Sequence, residues 1–289
     1  MIQERNSIEL IEHYFFLDRF EQVIALLPKV LEEEPENAYL WYMLGYSNYA
    51  LDKFDDAEQQ LFEALRLGLD AETVFYILGR LYLETESWQE SEEMFLETLR
   101  LNPNNAEAHA FYAWLMKKTG NKKKAKLLIN KALEIDSENS EALRLHFYIE
   151  GVNENRKEQV LALERYLNSG DSEMTKLLQL GIDAMFRDKV KEAKEYFRQA
   201  YLLNPEEKDL LETLKEFEIA SHPLMAPNRM ANKVGGPIGA WFIGVGMAFL
   251  LMLIGLEQVA IVWSVCYGVW ALYTWVSEPL VKVIMKAKG

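Results

Sequence analysis

The feature that most constrains this chain is a period. Pro35, Pro103 and Pro205 stand 68 and 102 residues apart, both multiples of 34. Displacing the sequence by 34 superposes Leu44-Gly45, Leu78-Gly79 and Leu180-Gly181 in one slot. A second slot holds Ala57, Ser91, Ala125 and Ala193, and a third Leu61, Phe95, Ile129 and Phe197. Ala64, Thr98, Ala132 and Ala200 fill a fourth, while Phe20, Phe54 and Trp88 fill a fifth. A fixed period of this size signals stacked units, none of which buries its apolar face alone. Six units follow without a gap: 4–37, 38–71, 72–105, 106–139, 140–173 and 174–207. The fifth, which contains GVNENRKEQ, keeps the spacing but few of the slot residues.

These residues resemble the tetratricopeptide repeat, and the resemblance covers about three quarters of the chain. It implies an all-α fold, a right-handed superhelix (α-solenoid) of helix pairs. The Gly after Leu lets the two helices of a repeat cross closely, the small slots admit the next helix, and proline stops the second helix. Residues 208–221 (KDLLETLKEFEIAS) are expected as a capping helix with a charged outer face. The resemblance also implies a concave surface lined by the first helix of each repeat. Its inward slots hold Tyr39, Tyr42, Tyr46 and Tyr49, then Tyr76 and Arg80, then Phe111 and Trp114, then Arg144 and Tyr148. The four tyrosines follow a 3-4-3 spacing and share one helical face. Aromatic anchors with an occasional arginine are typical of binding hot spots, so the expected ligand is an extended or helical peptide of another protein with apolar side chains. Repeats that clamp a chaperone's C-terminal carboxylate place lysine, asparagine and further basic residues on these helices. The corresponding slots here are Ile8, Glu12, Tyr42, Tyr46, Tyr76 and Arg80, so that clamp is absent.

The C-terminal part obeys a different pattern. Residues 238–256 carry no charge, Glu257-Gln258 interrupts, and 259–276 is again uncharged. At about 1.5 Å per residue each run spans roughly 27–29 Å, close to the hydrocarbon thickness of a bilayer. We therefore expect a transmembrane helical hairpin within 237–277, preceded by a linker at 222–236 and followed by a basic tail at 278–289. Positive charges lie only on the outer flanks, at Arg229 and Lys233 and at Lys282, Lys286 and Lys288. The positive-inside rule then puts both ends in the cytoplasm, as a multi-pass protein of the inner (plasma) membrane. The N-terminus, with acidic residues early, does not read as a secretory signal. Small residues recur every four positions, at Gly236, Ala240, Gly244 and Ala248 and at Ala260, Ser264 and Gly268. Such stripes pack the two helices together, or pack one chain on another as a homo-oligomer.

Charge and chemistry narrow the function. The formal net charge is −14, and residues 1–221 alone carry 26 Lys+Arg against 43 Asp+Glu. An acidic body is unsuited to nucleic acid, which needs a basic footprint. The single cysteine, Cys266, and four scattered histidines form no metal-binding or nucleophilic pattern, and no phosphate-binding glycine loop occurs. No cofactor and no catalysis are expected. The reading is a membrane-anchored scaffold or adaptor that binds a partner peptide in an aromatic groove. The alternative is an accessory subunit of a membrane transport, secretion or assembly complex whose hairpin makes the main contact. A lysine cluster (Lys117, Lys118, Lys122, Lys123, Lys124 and Lys126) reads as a solvated turn or as a contact for head groups or an acidic partner.

Overall fold

The computed structural model describes residues 2–152, 155–187, 189–205 and 208–288. The chain forms two compact units, Met1–Asp171 and Ser172–Gly289. The first contains five helix pairs: α1 (Ile2–Phe16) and α2 (Phe20–Glu33), α3 (Ala38–Ala50) and α4 (Phe54–Arg66), α5 (Ala71–Glu84) and α6 (Trp88–Leu101), α7 (Ala106–Lys118) and α8 (Lys122–Ile135), α9 (Ser140–Val152) and α10 (Arg156–Leu167).

The 34-residue slots are where the pairs close. An added Cβ on Gly45 would lie 3.0 Å from Leu61, and one on Gly79 would lie 2.8 Å from Phe95. Each glycine thus lets the third-slot side chain, sixteen residues on, press against helix backbone. Ala57, Ser91 and Ala125, with Ala64, Thr98 and Ala132, have no exposed surface. Ser91 satisfies its buried hydroxyl by donating to the Gly79 carbonyl at 2.8 Å. The fifth pair departs from this scheme. Phe147 stands in the glycine slot, Gln159 in the small slot and Tyr166 in the next, and all three are buried. The phenol of Tyr166 donates to Asp171 at 2.6 Å, so the larger ring brings its own partner.

The turn inside each pair recurs at the same interval. Arg19 N–H donates to the Tyr14 carbonyl at 2.9 Å, Lys53 to Asn48 at 2.9 Å, Ser87 to Tyr82 at 2.9 Å and Asn121 to Met116 at 2.7 Å. These six-to-one bonds close the first helix of each pair and require a left-handed residue just before the donor. Those residues are Asp18 (φ 53°), Asp52 (φ 57°), Glu86 (φ 58°) and Gly120 (φ 85°), spaced by 34. Only the fourth turn uses glycine.

The second unit begins with α11 (Glu173–Phe186) and α12 (Val190–Leu203), in which Gly181 repeats the glycine slot against Phe197 at 2.9 Å. Next comes α13 (Lys208–Ser221), whose Leu210 and Phe217 are buried in a cluster with Ala193 and Phe197. Residues 222–236, expected as a linker, instead hold a 3-10 turn, η1 (Pro223–Met225), and α14 (Ala226–Lys233). Two apolar helices follow, α15 (Gly236–Leu253) and α16 (Glu257–Lys288). The expected basic tail is therefore a continuation of α16, which runs through Pro279; the Lys288 side chain lies outside the described residues.

Among the described residues one helix, Glu257–Lys286 within α16, is long and apolar enough to cross a membrane. The Pro223–Lys233 and Ile238–Leu253 helices reach that length only as a pair, which is bent by 78°. The exposed carboxylate of Glu257 sits in the first turn of α16, where the helix dipole favours a negative charge.

The contact between α15 and α16 uses part of the expected small-residue stripes, Ala240, Gly244 and Ala260 with Ala248 half-buried, and departs from the rest. On α15, Ala240 is buried and Gly244 faces Tyr267 so closely that a Cβ would lie 2.3 Å from the ring. Gly236, by contrast, starts α15 with φ +74° and nothing near it. On α16 the inward face is Ala260, Trp263, Tyr267, Trp270, Thr274, Ser277 and Val281, a 3-4 spacing. Ser264 is exposed and Gly268 meets open space. Four residues advance a helix by 400°, so a strict four-residue stripe drifts about 40° per step off the contact line, whereas 3-4 alternation stays on it. Trp263 secures the pair by donating Nε1–H to the Gly244 carbonyl at 2.9 Å.

Candidate peptide-binding groove

The groove belongs to the first unit, where α1, α3, α5 and the start of α7 line an open cavity of about 740 Å³. Its aromatic row begins with a residue the repeat pattern did not single out. The Phe15 ring lies 6.2 Å from Tyr42 and 5.4 Å from Tyr46, centroid to centroid. From there the row runs Tyr39–Tyr42 at 6.1 Å, Tyr42–Tyr46 at 6.0 Å and Tyr46–Tyr49 at 6.1 Å. The 3-4-3 spacing on α3 therefore does stack four phenols along one face. Tyr39 is exposed and the other three are half-buried. Their inner edges pack on the clusters around Leu40 and Leu78, so these rings serve core and surface at once. Burial pushes the Tyr42 hydroxyl up to about 12 and raises Tyr49 as well.

Arg80 is the centre of the site. Its guanidinium lies 5.4 Å from the Tyr49 centroid, 5.6 Å from Tyr76 and 4.7 Å from Phe111. Such packing is favourable when a cation is partly desolvated. The Arg80 Nε is buried with no hydrogen-bond partner. Tyr76 donates its hydroxyl to Glu107 at 2.7 Å and meets Phe111 at 6.0 Å. Burial is the main cause that raises the Tyr76 hydroxyl.

Phe111, expected as a groove residue, is only 5% exposed and belongs to the core beneath Arg80. Trp114 and Tyr148 meet at 6.0 Å, and Lys118 covers Trp114 at 5.2 Å. Arg144 stacks on Tyr148 at 5.9 Å, and its Nε–H donates to Glu141 at 3.1 Å. These last residues do not line the cavity that holds Tyr42, Tyr46, Tyr76 and Arg80. Of the ten expected residues, Tyr42, Tyr46, Tyr76 and Arg80 line the cavity, Tyr39 and Tyr49 extend the row on α3 beside it, Trp114, Arg144 and Tyr148 form a second cluster, and Phe111 is a core ring.

The sequence reading missed the polar rim. Asp18, Glu72, Glu107 and Asp136 line the same cavity, with Asn105 and Asn139. Glu72 is held by the side-chain amides of Asn102 at 2.7 Å and Asn105 at 2.8 Å. Glu107 lies one helical turn before Phe111 on α7, the spacing that places it on the groove side. The lysine cluster does not form one patch: Lys117 is buried, and Lys124 pairs with Glu92 at 2.9 Å while lying 4.5 Å from the Tyr112 centroid.

Residues 9–71 and 82–146 each match a tetratricopeptide-repeat family model, so both stretches contain tetratricopeptide repeats. No curated protein matches the chain. Among solved structures, the chain is similar to the APC/C hetero-tetramer Cut9–Hcn1 at 10% identity and a TM-score of 0.57, covering 74% of this chain and 42% of that one. PilW, described as a widely conserved type IV pilus biogenesis factor, matches at 18% identity and TM-score 0.53, over 73% of this chain and 98% of its own. Yeast Tom70 matches at 18% and 0.52, over 75% of this chain and 49% of its own. At these identities the likeness is one of fold, an α-solenoid.

Proposed function

We propose that this protein is a non-catalytic, membrane-anchored scaffold that captures a peptide segment of another protein in the groove around Tyr42, Tyr46, Tyr76 and Arg80. The observation that carries the reading is the phenol row ending on the Arg80 guanidinium, which lines the open cavity with Tyr42, Tyr46 and Tyr76. Rigid aromatic rings give contact area at little entropic cost, and the guanidinium offers donors to backbone carbonyls of an incoming segment. The acidic rim favours a segment with basic residues flanking its apolar anchors. Anchorage raises the effective concentration of the groove for other membrane components, so modest contacts suffice.

The anchor is α15 with α16, inserted as a hairpin with both ends on the cytoplasmic face of the inner membrane. Support comes from their outward residues, with Phe242, Phe249, Leu253, Val265, Leu272 and Trp275 all more than 60% exposed. Contiguous apolar surface of that kind marks a membrane or protein contact. The test of the groove is Tyr42→Glu with Tyr46→Glu in the full chain, which should abolish partner capture from solubilised membranes at unchanged helical content. Unaltered capture would show that the groove is not the working surface.

The same exposed apolar surface supports a second reading, an accessory subunit of a membrane transport, secretion or assembly complex. A fragment of residues 1–221 separates the two. Partner capture by that fragment supports the scaffold, whereas copurification that requires α15 and α16 supports the subunit.

A further inference from the structure

We infer that the second unit holds a binding site for the headgroup of an anionic phospholipid, at the foot of the apolar helices. This rests on the membrane reading above. The site is a cavity of about 860 Å³ lined by Lys189, Val190, Lys191, Glu192, Ala220, Arg229, Asn232 and Lys233. Among the described residues four cations and one carboxylate line it, in a chain whose formal net charge is −14. Glu192 pairs with Lys189 at 2.8 Å and with Arg187 at 3.2 Å, so it takes up one of the four and leaves the described lining with an excess of positive charge. Lys191 and Lys233 are exposed at the cavity edge.

Three structural elements converge on this space. α12 begins there, and its N-cap residue Lys189 makes no side-chain cap bond, so the positive end of the helix dipole adds to the cations. α13 ends there, and Arg229 bridges from α14 by donating Nη1–H to the carbonyls of Ala220 at 2.6 Å and His222 at 3.0 Å. That fixes the guanidinium at the cavity while leaving its other donors for a ligand. α14 supplies Lys233, three residues before α15 starts at Gly236. A lipid whose acyl chains lie along α15 would therefore have its phosphate within reach of this cluster. Phosphate-bearing headgroups match several converging cations by charge and by hydrogen-bond geometry. A phosphocholine headgroup carries the same phosphate, but its trimethylammonium is repelled by the extra cations, so an anionic headgroup is favoured.

The test uses the full chain reconstituted into vesicles of phosphatidylcholine alone and of phosphatidylcholine with phosphatidylglycerol. Lipid that stays bound on extraction is then weighed by native mass spectrometry. The expected result is preferential retention of phosphatidylglycerol, lowered roughly tenfold by Lys191→Gln with Lys233→Gln. Both positions are exposed, and circular dichroism checks that the fold is kept. Lys122→Gln with Lys123→Gln removes the same charge from the first unit and should leave retention unchanged. An equal loss in both double variants, or no loss in the first, overturns the site. Displacement of the lipid by inorganic phosphate, with no preference for phosphatidylglycerol, would make it a free-phosphate site and overturn the lipid assignment. Insertion into both vesicles without lipid preference sinks the headgroup site alone. Failure to enter either vesicle sinks the membrane reading and this inference with it.

Discussion

The first unit and the last two helices of the second solve opposite packing problems with the same residue types. In the first, large apolar side chains such as Leu61, Phe95 and Ile129 are wholly buried, and small residues make room for them. In α15 and α16 the large apolar side chains point outward: Phe242 is 65% exposed, Leu272 66% and Trp275 78%. What is buried there is mostly small or polar, namely Ala240, Ala260 and Ser277, with Val281 the larger exception. In water the first arrangement is stabilised by removing apolar area from solvent. The second gains little that way, and it becomes favourable when the surroundings are themselves apolar. The difference teaches that hydrophobicity alone does not tell a buried core from a pair of helices with an apolar exterior; what separates them is whether small residues face large ones or large ones face outward.

The sharpest way to break this contrast is a pair of truncations. Phe95→Ala should cost about 3–5 kcal/mol, because it empties a fully buried slot. Leu272→Ala, at an outward position, should leave thermal unfolding in detergent nearly unmoved. If both variants melt alike, the inside-out reading of the second unit is wrong. Next in size is Gly244→Leu, which drives a side chain into the Tyr267 ring and should cost about 1–3 kcal/mol or more. The readout is the protease resistance of the α15–α16 pair; a silent substitution would mean these helices do not pack as described.

Smaller again is Asn228→Ala. Asn228 donates to the Thr274 carbonyl at 2.9 Å and accepts from Ser277 at 2.9 Å, tying α14 to α16. Removing it should cost about 1–2 kcal/mol and increase cleavage within 222–235. The first unit is also sharpened by alkali. A hydroxyl raised by burial favours the fold below the free tyrosine value near 10, and that contribution is lost as pH rises through the folded value. For Tyr42 the window runs from about 10 to about 12. Tyrosinate absorbance and helical content should therefore change together in that window. A Tyr42 phenol that titrates near 10 with the helices intact would show a fully solvated ring.

Much of this was legible from the period alone. The glycine of each Leu-Gly slot meets the third-slot residue sixteen positions later, a separation kept by the 34-residue repeat of helix, turn and helix. The tyrosine face of α3 was legible for the same reason, since one helix carries all four rings. What escaped depends on contacts between elements far apart in the chain. Phe111 is core because Arg80, thirty-one residues earlier, lies over it. α14 looked like a linker because it is short, polar and flanked by Pro and Gly; its partners on α16 are 46 and 49 residues away. The packing face of α16 was masked by a four-residue pattern of small side chains that drifts around the helix. Phe15 was missed because the repeat signature assigns it no slot.

The left-handed turns point to something the protein has left unused. Asp18, Asp52 and Glu86 occupy a backbone conformation that Gly120 adopts freely one repeat on. Glutamate is the least suited of the three, since its side chain lacks the short local hydrogen bonds that help aspartate there. Because stacked repeats contribute nearly independently to stability, each turn is a separate dial. Asp52→Gly and Glu86→Gly should each raise stability by roughly 0.5–1 kcal/mol, measured as additive shifts in the denaturation midpoint. Neither position lines the groove cavity, so an engineer could harden this solenoid without altering that cavity.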